Sequence, residues 1–163
     1  VIYTLIALVL IGAVLAIALP NIEKMKDQAQ IEKSVAMMKD LDSTITLIGI
    51  PGNKRIIEIG LKSGDLKIDG IEDKIIFSME TEGEYSEVGE EVVDGKLIIL
   101  TEKKGGANLV TVTLDYASKN TNLTYDDEDM IKSFSSSGTS YNFVISKRDL
   151  DENIKTVINF GVQ

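Results

Sequence analysis

A chain of 163 residues is long enough for one domain with its own hydrophobic core and too short for two ordinary domains. Cysteine, histidine and tryptophan are absent, which excludes disulfides, thiol and imidazole catalysis, and nearly all zinc sites. The formal net charge of −9 would repel nucleic acid, so the sequence predicts no nucleic-acid partner, and no residue pattern predicts a cofactor.

The first predicted element is an apolar helix over residues 1–20. No charged side chain occurs before Glu23, and a helix of this length measures about 30 Å, the thickness of a bilayer's hydrocarbon layer. The segment has neither the basic first region nor the small-residue cleavage site of a secretory signal peptide. We therefore expect a processed chain with Val1 as its mature N-terminus and a helix that enters the membrane.

An amphipathic helix is predicted to continue the apolar one over residues 21–48. Pro20 removes one backbone donor and crowds the carbonyl of Ala16, so we expect a bend at the join. Breaking the helix is costly in apolar surroundings, so we expect no gap. Glycine and proline at positions 49–52 end this helical region, which covers residues 1–50. Its apolar positions, mostly three or four residues apart, are Ile22, Met25, Ala29, Val35, Met38, Leu41, Ile45 and Ile48.

Beyond residue 50 the apolar periodicity changes to two, and the runs are short and rich in β-branched and aromatic residues. Turn signals such as Asp94-Gly95 separate them. The predicted fold class is α+β: a long N-terminal α-helix, apolar and then amphipathic, followed by an antiparallel β-sandwich-like domain over residues 51–163. The predicted strands are 54–61, 65–68, 74–80, 96–101, 108–116, 122–125, 130–134, 140–147 and 155–161.

Residues 4–24, TLIALVLIGAVLAIALPNIEK, resemble the N-terminal helix of mature type IV pilins and of archaellins, the subunits of archaeal flagellar filaments. Those chains begin with a similar Thr-Leu-Ile and an uncharged stretch after a dedicated peptidase has removed a short leader. The resemblance implies a subunit that is held in the membrane before assembly and then polymerises with copies of itself through its N-terminal helix. The leader peptidase and the pilus assembly machinery are its further implied partners.

One residue departs from the bacterial pattern. Bacterial pilins have a glutamate three residues after this threonine, paired with a neighbouring subunit's N-terminal amine, and here that position is Ala7. The departure suits archaeal filaments, whose subunits can have an entirely apolar core. The absence of cysteine points the same way, because many bacterial pilins close a C-terminal loop with a disulfide. The Pro20-Asn21 junction and the charged heptad-like run after it favour an adhesive pilin over an archaellin.

The predicted functional surface is the apolar helix itself. A helical bundle needs small side chains that let backbones approach closely, and alanine and glycine supply these among leucine and isoleucine. Without the glutamate, assembly is expected to depend on apolar packing and not on a buried ion pair. The residues predicted to pack in a filament core are Leu5, Ala7, Leu8, Ile11, Gly12, Leu15, Ala16 and Leu19.

The β-rich region offers two further candidate sites. The acidic run at residues 126–129 lacks the alternating ligands and the turn glycine of a calcium loop, so it predicts a solvated turn and no metal site. Asn122-Leu123-Thr124 is the only N-glycosylation sequon, and the alternative is an ordinary asparagine at a strand edge. No residue pattern pairs a nucleophile with a base, so the sequence does not predict an enzyme.

Three functions remain in competition at the level of the sequence. The first is a pilin that forms an extracellular, type IV pilus-like filament for surface adhesion. The second is an archaellin of a motility filament. The third is a monomeric cell-surface β-domain protein whose apolar helix stays in the membrane permanently. An anchored hydrolase would need a site that the sequence does not contain.

Overall fold

The computed structural model describes residues 1–150 and 155–163 as a long helix followed by two packed β-sheets, which confirms the predicted α+β class. The helix, α1, covers Ile2–Thr46, and a short 3₁₀ helix covers Ala117–Lys119. The strands are β1 (Lys54–Ile59), β2 (Asp65–Asp69), β3 (Lys74–Thr81), β4 (Glu91–Asp94), β5 (Leu97–Lys104), β6 (Ala107–Asp115), β7 (Thr121–Tyr125), β8 (Ile131–Ser135), β9 (Tyr141–Leu150) and β10 (Thr156–Val162).

The helix α1 continues without a gap through Pro20, as the sequence predicts. The missing proline N–H leaves the carbonyl of Ala16 without its usual helical donor. The side-chain amide of Asn21 donates to the carbonyl oxygen of Ile17 at 3.1 Å, and this hydrogen bond supports the turn of helix around Pro20. The helix ends at Thr46, and three residues further along the chain Gly49 takes a left-handed conformation with φ 79°, which favours glycine.

The two sheets differ in size and in regularity. The larger has six strands in the order β4-β5-β6-β3-β2-β8, and all its neighbours are antiparallel. The smaller has four strands in the order β1-β9-β10-β7. Within it β10 and β7 are parallel, with Ile158 opposite Leu123, where the sequence predicts only antiparallel pairing. Turn residues in a sequence indicate hairpins between consecutive strands. Because β7 and β10 are separated by two strands in the chain, no turn signal predicts that they pair.

The hydrophobic core lies on one face of the six-stranded sheet. A continuous row of buried side chains crosses this face from β8 to β5: Phe134, Leu66, Phe77, Val112 and Ile99. The four-stranded sheet covers one part of the face, with Phe143 stacked edge-on to Phe134 at a ring distance of 4.8 Å. The C-terminal half of α1 covers the other part, over β3 and β6. The six-stranded sheet is therefore the platform that positions the helix.

One strand, β4, is absent from the sequence prediction. Its residues Glu91 and Asp94 flank only two valines, and this composition is poor in the features that predict a strand. Backbone pairing with β5 forms it nevertheless, with Val93 opposite Ile98. As the edge of the sheet it carries charged residues, which discourage pairing with further strands.

Candidate assembly surface

The largest exposed apolar surface belongs to the N-terminal part of α1, residues 1–26, called here the projecting segment. None of its residues is buried, and large side chains on all sides are exposed, for example Leu8 at 67% and Leu15 at 49%. At 1.5 Å per residue the projecting segment is about 39 Å long. The helix is apolar and long enough to cross a membrane, which is consistent with membrane insertion or with a signal sequence.

The projecting segment ends at a clamp formed by Asp27, Thr81 and Gly83. The Asp27 Oδ2 atom accepts hydrogen bonds from the Thr81 hydroxyl and from the Glu82 backbone N–H, both at 2.8 Å. Gly83 lies so close that a β-carbon there would be 3.2 Å from the Ile31 Cδ1 atom. Charged acceptors make strong hydrogen bonds, so the clamp fixes the position at which α1 leaves the β-sheets.

A second polar contact holds the C-terminal end of α1. Asp42 accepts a hydrogen bond from the hydroxyl of Tyr116 at 2.7 Å and forms an ion pair with Lys96 at 2.8 Å. Lys96 also donates to the hydroxyl of Thr46 at 2.9 Å. Burial of Tyr116, followed by its bond to Asp42, raises the pKa of the phenol above its ordinary value. The contact is therefore made by a neutral tyrosine hydroxyl that donates to the side chain of Asp42.

A third contact lies between these two along the helix. Lys39 pairs with Asp94 of β4 at 2.7 Å, and the hydroxyl of Tyr85 donates to the same carboxylate at 3.2 Å. The hydrogen bond to Lys39 lowers the pKa of Asp94, and the same bond raises the pKa of Lys39. With the three contacts together, the orientation of the projecting segment relative to the β-sheets is set at several points along α1.

The residues predicted to pack in a filament core all lie on the projecting segment. At about 100° per residue, six of them share an arc of about 100° on the helix surface, while Ala7 and Ile11 lie on one flank of it. The six are Leu5, Leu8, Gly12, Leu15, Ala16 and Leu19. Space around Gly12 is open, because a β-carbon there would meet no atom within 4 Å. Within one chain these residues touch no other element of the described fold, and their packing role stays a prediction.

The apolar residues of α1 beyond Pro20 lie on two faces, where the sequence places them on one stripe. Ile22 at 47%, Met25 at 72% and Ala29 are exposed. Ile31, absent from the predicted stripe, is fully buried and lies about 120° to 180° around the helix from those three. The interval of two residues between Ala29 and Ile31 is the sequence signal that separates the faces. The stripe residues that are buried against the sheets are Val35, Met38, Leu41, Ile45 and Ile48.

The acidic run forms a turn that closes over β10. Asp126 and Asp127 have left-handed backbone conformations, with φ 50° and 64°. The Asp127 backbone N–H donates to the Asn159 Oδ1 atom at 2.8 Å, and its carboxylate holds Arg148 through two bonds of 2.8 and 2.6 Å. Among the residues that the structure describes, no group of three or more acidic side chains is placed to hold a metal ion.

The sequon lies on β7, at the edge of the four-stranded sheet. Asn122 is half-buried, and its side-chain amide lies 3.4 Å from an Asp129 carboxylate oxygen. Thr124 is buried at 6% exposure, and its hydroxyl donates to the Asn159 Oδ1 atom at 2.9 Å. Glycosylation of Asn122 stays a prediction.

Comparison with models of protein families, with curated proteins and with solved structures finds no match. The likeness to known proteins therefore rests on architecture. A long apolar N-terminal helix followed by packed β-sheets is a pilin-like architecture. The fold and the exposed helix define the chain as a β-sheet domain carried on an apolar helix of membrane-spanning length.

Proposed function

We propose that this chain is a structural subunit that polymerises through its N-terminal helix into an extracellular, type IV pilus-like filament. The observation that carries the proposal is the projecting segment, whose apolar side chains are exposed on all sides of a helix held rigidly to a β-sheet domain. Such a surface is unstable in water, so it must be covered by lipid or by protein.

Packing against other protein chains would cover more of the exposed apolar surface of α1 than lipid would. A lone anchor needs an apolar span of about 20 residues, which residues 1–20 supply. Exposed apolar side chains continue beyond this span to Ile22 and Met25, in a stretch that also contains Glu23 and Lys24. Charged residues are costly in hydrocarbon, so lipid does not cover this stretch. A bundle of neighbouring α1 helices covers both parts.

Transfer from the membrane to a filament core is physically reasonable for this helix. One apolar environment replaces another, and α1 satisfies its own backbone hydrogen bonds in both. With Ala7 where bacterial pilins have glutamate, cohesion would come from apolar packing repeated over many subunits. We assign the chain to the archaeal type, with surface adhesion as the role, and expect its processing by the leader peptidase and export by pilus assembly machinery.

The principal alternative is a monomeric anchored protein of the cell surface. It is supported by the length and hydropathy of α1, which suffice for a simple transmembrane span. An archaellin of a motility filament is the second alternative, because the exposed helix serves a motility filament as well as an adhesive one.

Replacement of Leu8 tests the filament against the lone anchor. Leu8→Asp places a charge on the exposed surface of the projecting segment. A charge at the centre of a membrane-spanning helix costs about 2.5 to 3.5 kcal/mol on membrane-insertion scales. In a filament every subunit carries this cost, so we expect filaments to be lost, with Leu8→Ile as the conservative control. Immunoblots of membranes check that both variants are inserted, and electron microscopy counts the filaments. Normal numbers of filaments from Leu8→Asp would contradict the buried core.

A further inference from the structure

A cleft of about 430 Å³ lies beside the clamp, where α1 leaves the β-sheets. Its volume is in the range of small-molecule sites, about 300 to 1,000 Å³. One wall is α1, and the other is formed by the turn after β3 and by the paired ends of β5 and β6. Its charged and amide-bearing side chains include Lys24, Gln28, Glu82, Glu84, Lys103 and Asn108. The cleft is therefore polar, unlike the apolar surface of residues 1–20.

One residue that lines this cleft has an amide oxygen without a hydrogen-bond donor. Asn108 is 3% exposed, and its Nδ2 atom donates to the Gly83 carbonyl oxygen at 2.8 Å, which fixes the orientation of the amide. The Oδ1 atom is buried and has no partner in the part of the chain that the structure describes. Buried acceptors of this kind are costly and uncommon in folded proteins. Lys103 lies opposite Asn108 in the β5–β6 pair and is exposed, so displacement of its flexible side chain would open the oxygen to an external donor.

The charged groups around the cleft also lack partners. Four side chains line it without forming an ion pair to any residue that the structure describes, and they are Lys24, Glu82, Glu84 and Lys103. The cleft thus combines two positive charges, two negative charges and one buried acceptor. A ligand that matches it carries both signs of charge and at least one N–H or O–H donor.

The position of the cleft along α1 corresponds to the level of lipid headgroups when the chain is inserted in a membrane. Residues 1–20 match a hydrocarbon layer of about 30 Å, and the headgroups add about 5 to 7 Å on each side. At 1.5 Å per residue, Lys24 lies about 6 Å and Gln28 about 12 Å beyond residue 20. The cleft between them therefore lies within the headgroup layer or just above it, outside the hydrocarbon.

We propose that this cleft, called here the headgroup cleft, binds the phosphoethanolamine headgroup of a phospholipid while α1 is in the membrane. The phosphate lies against Lys24 and Lys103. The ammonium donates to the Asn108 Oδ1 atom and is flanked by Glu82 and Glu84. A trimethylammonium headgroup has the same charges but no N–H donor, so it leaves the buried oxygen unpaired. The inference goes beyond the proposed polymerisation and needs only the membrane-inserted chain.

The first test compares two lipids that differ only in the substituents of the amine. The full chain in detergent micelles receives equimolar phosphatidylethanolamine and phosphatidylcholine with the same acyl chains, and native mass spectrometry counts the molecules of each that stay bound. We expect the ethanolamine lipid to be retained at least about tenfold more, because only its amine can donate to the Asn108 Oδ1 atom. Equal retention of the two lipids, or retention of neither, would overturn the proposal.

A competition experiment separates a lipid headgroup from a soluble ligand of the same chemistry. Glycerophosphoethanolamine has the same polar group without acyl chains, so it should displace the lipid only at a much higher concentration. Displacement at a concentration equal to that of the lipid would overturn the assignment to a membrane lipid.

The last test locates the bound lipid with two adjacent lysines. Lys103→Gln removes a cation that lines the headgroup cleft, whereas Lys104→Gln removes one that pairs with Glu80 at 2.7 Å outside it. Both lysines are exposed, so neither change should unfold the domain, which circular dichroism checks. We expect Lys103→Gln to lower retention of the ethanolamine lipid about fivefold and Lys104→Gln to leave it unchanged. Equal retention by the two variants would overturn the proposal. Because single chains are measured, the result does not depend on whether filaments form.

Discussion

Single carboxylates on α1 determine how the helix is attached to the sheets. Asp27 bonds to the end of β3, and Asp42 bonds to Tyr116 and Lys96. The sequence shows these acids as ordinary members of a charged helix face, because their partners are more than 50 residues away in the chain. Local periodicity contains no information on such distant pairs, so the attachment could not be predicted from it.

Tyr116 makes the stability of the fold sensitive to alkaline pH. Burial, and then the bond to Asp42, raises its pKa in the folded state above the unfolded value of about 10. A raised folded pKa gives stability that is complete below the unfolded pKa and is lost as the pH rises toward the folded pKa. Between about pH 9 and about pH 11, urea unfolding in detergent should therefore show a steeper loss for wild type than for Tyr116→Phe.

The same hydrogen bond predicts how Tyr116→Phe and wild type differ in stability at neutral pH. There Tyr116→Phe should lower the free energy of unfolding by about 1.5 to 3 kcal/mol, the range for a hydrogen bond to a charged group. Parallel pH profiles for wild type and variant would show that the Tyr116 hydroxyl does not cause the alkaline loss.

At the scale of elements, the sequence predicts the strands best where every second residue is buried. In β6 the alternation is unbroken, with Val110, Val112 and Leu114 inside, and its predicted bounds differ by one residue at each end. The acidic β4 lacks that alternation of large apolar residues, and the parallel partner of β7 depends on long-range packing. On α1 the sequence shows apolar residues at helical spacing. The face that meets the sheets begins at Ile31, where the apolar residues move to a different side of the helix.

The side chain of Asn159 attaches two elements to β10, so its loss should loosen both. Its Oδ1 atom accepts from the Thr124 hydroxyl of β7 at 2.9 Å and from the Asp127 N–H of the acidic turn at 2.8 Å. Asn159→Ala leaves both donors without this acceptor and should cost about 1 to 3 kcal/mol. Amide hydrogen exchange of the full chain should become faster at residues 126–129. The exposed Asn142 provides the control, and equal exchange in Asn142→Ala and Asn159→Ala would refute the assignment.

The whole molecule divides into a part that has its own core and a part that has none. Every residue of the hydrophobic core lies between Ile31 and Phe160 in the sequence, and the projecting segment contributes nothing to it. We therefore expect the smallest stable folded unit to begin near the clamp at Asp27, inside α1. The candidate packing residues are inferred from an uncharged segment that is visible in the sequence, and their packing stays a prediction, whereas the extent of the core depends on contacts across the fold.

A chain shortened to residues 21–163 should consequently be soluble without detergent and β-rich by circular dichroism. It retains the clamp and the buried face of α1, so its free energy of unfolding should lie within about 1 kcal/mol of that of the full chain in detergent, as for changes that leave the core intact. Aggregation or an unfolded spectrum would contradict the boundary.

A chain shortened further, to residues 49–163, provides the matched comparison. It uncovers the platform beneath the side chains Ile31, Val35, Met38, Leu41, Ile45 and Ile48. Burying one such side chain is worth about 1.5 to 3 kcal/mol, and six together approach or exceed the 5 to 15 kcal/mol by which domains are usually stable. We therefore expect this shorter chain to be unfolded or aggregated in circular dichroism and size-exclusion measurements. If it were as stable as residues 21–163, α1 would be only an appendage of a self-sufficient sandwich.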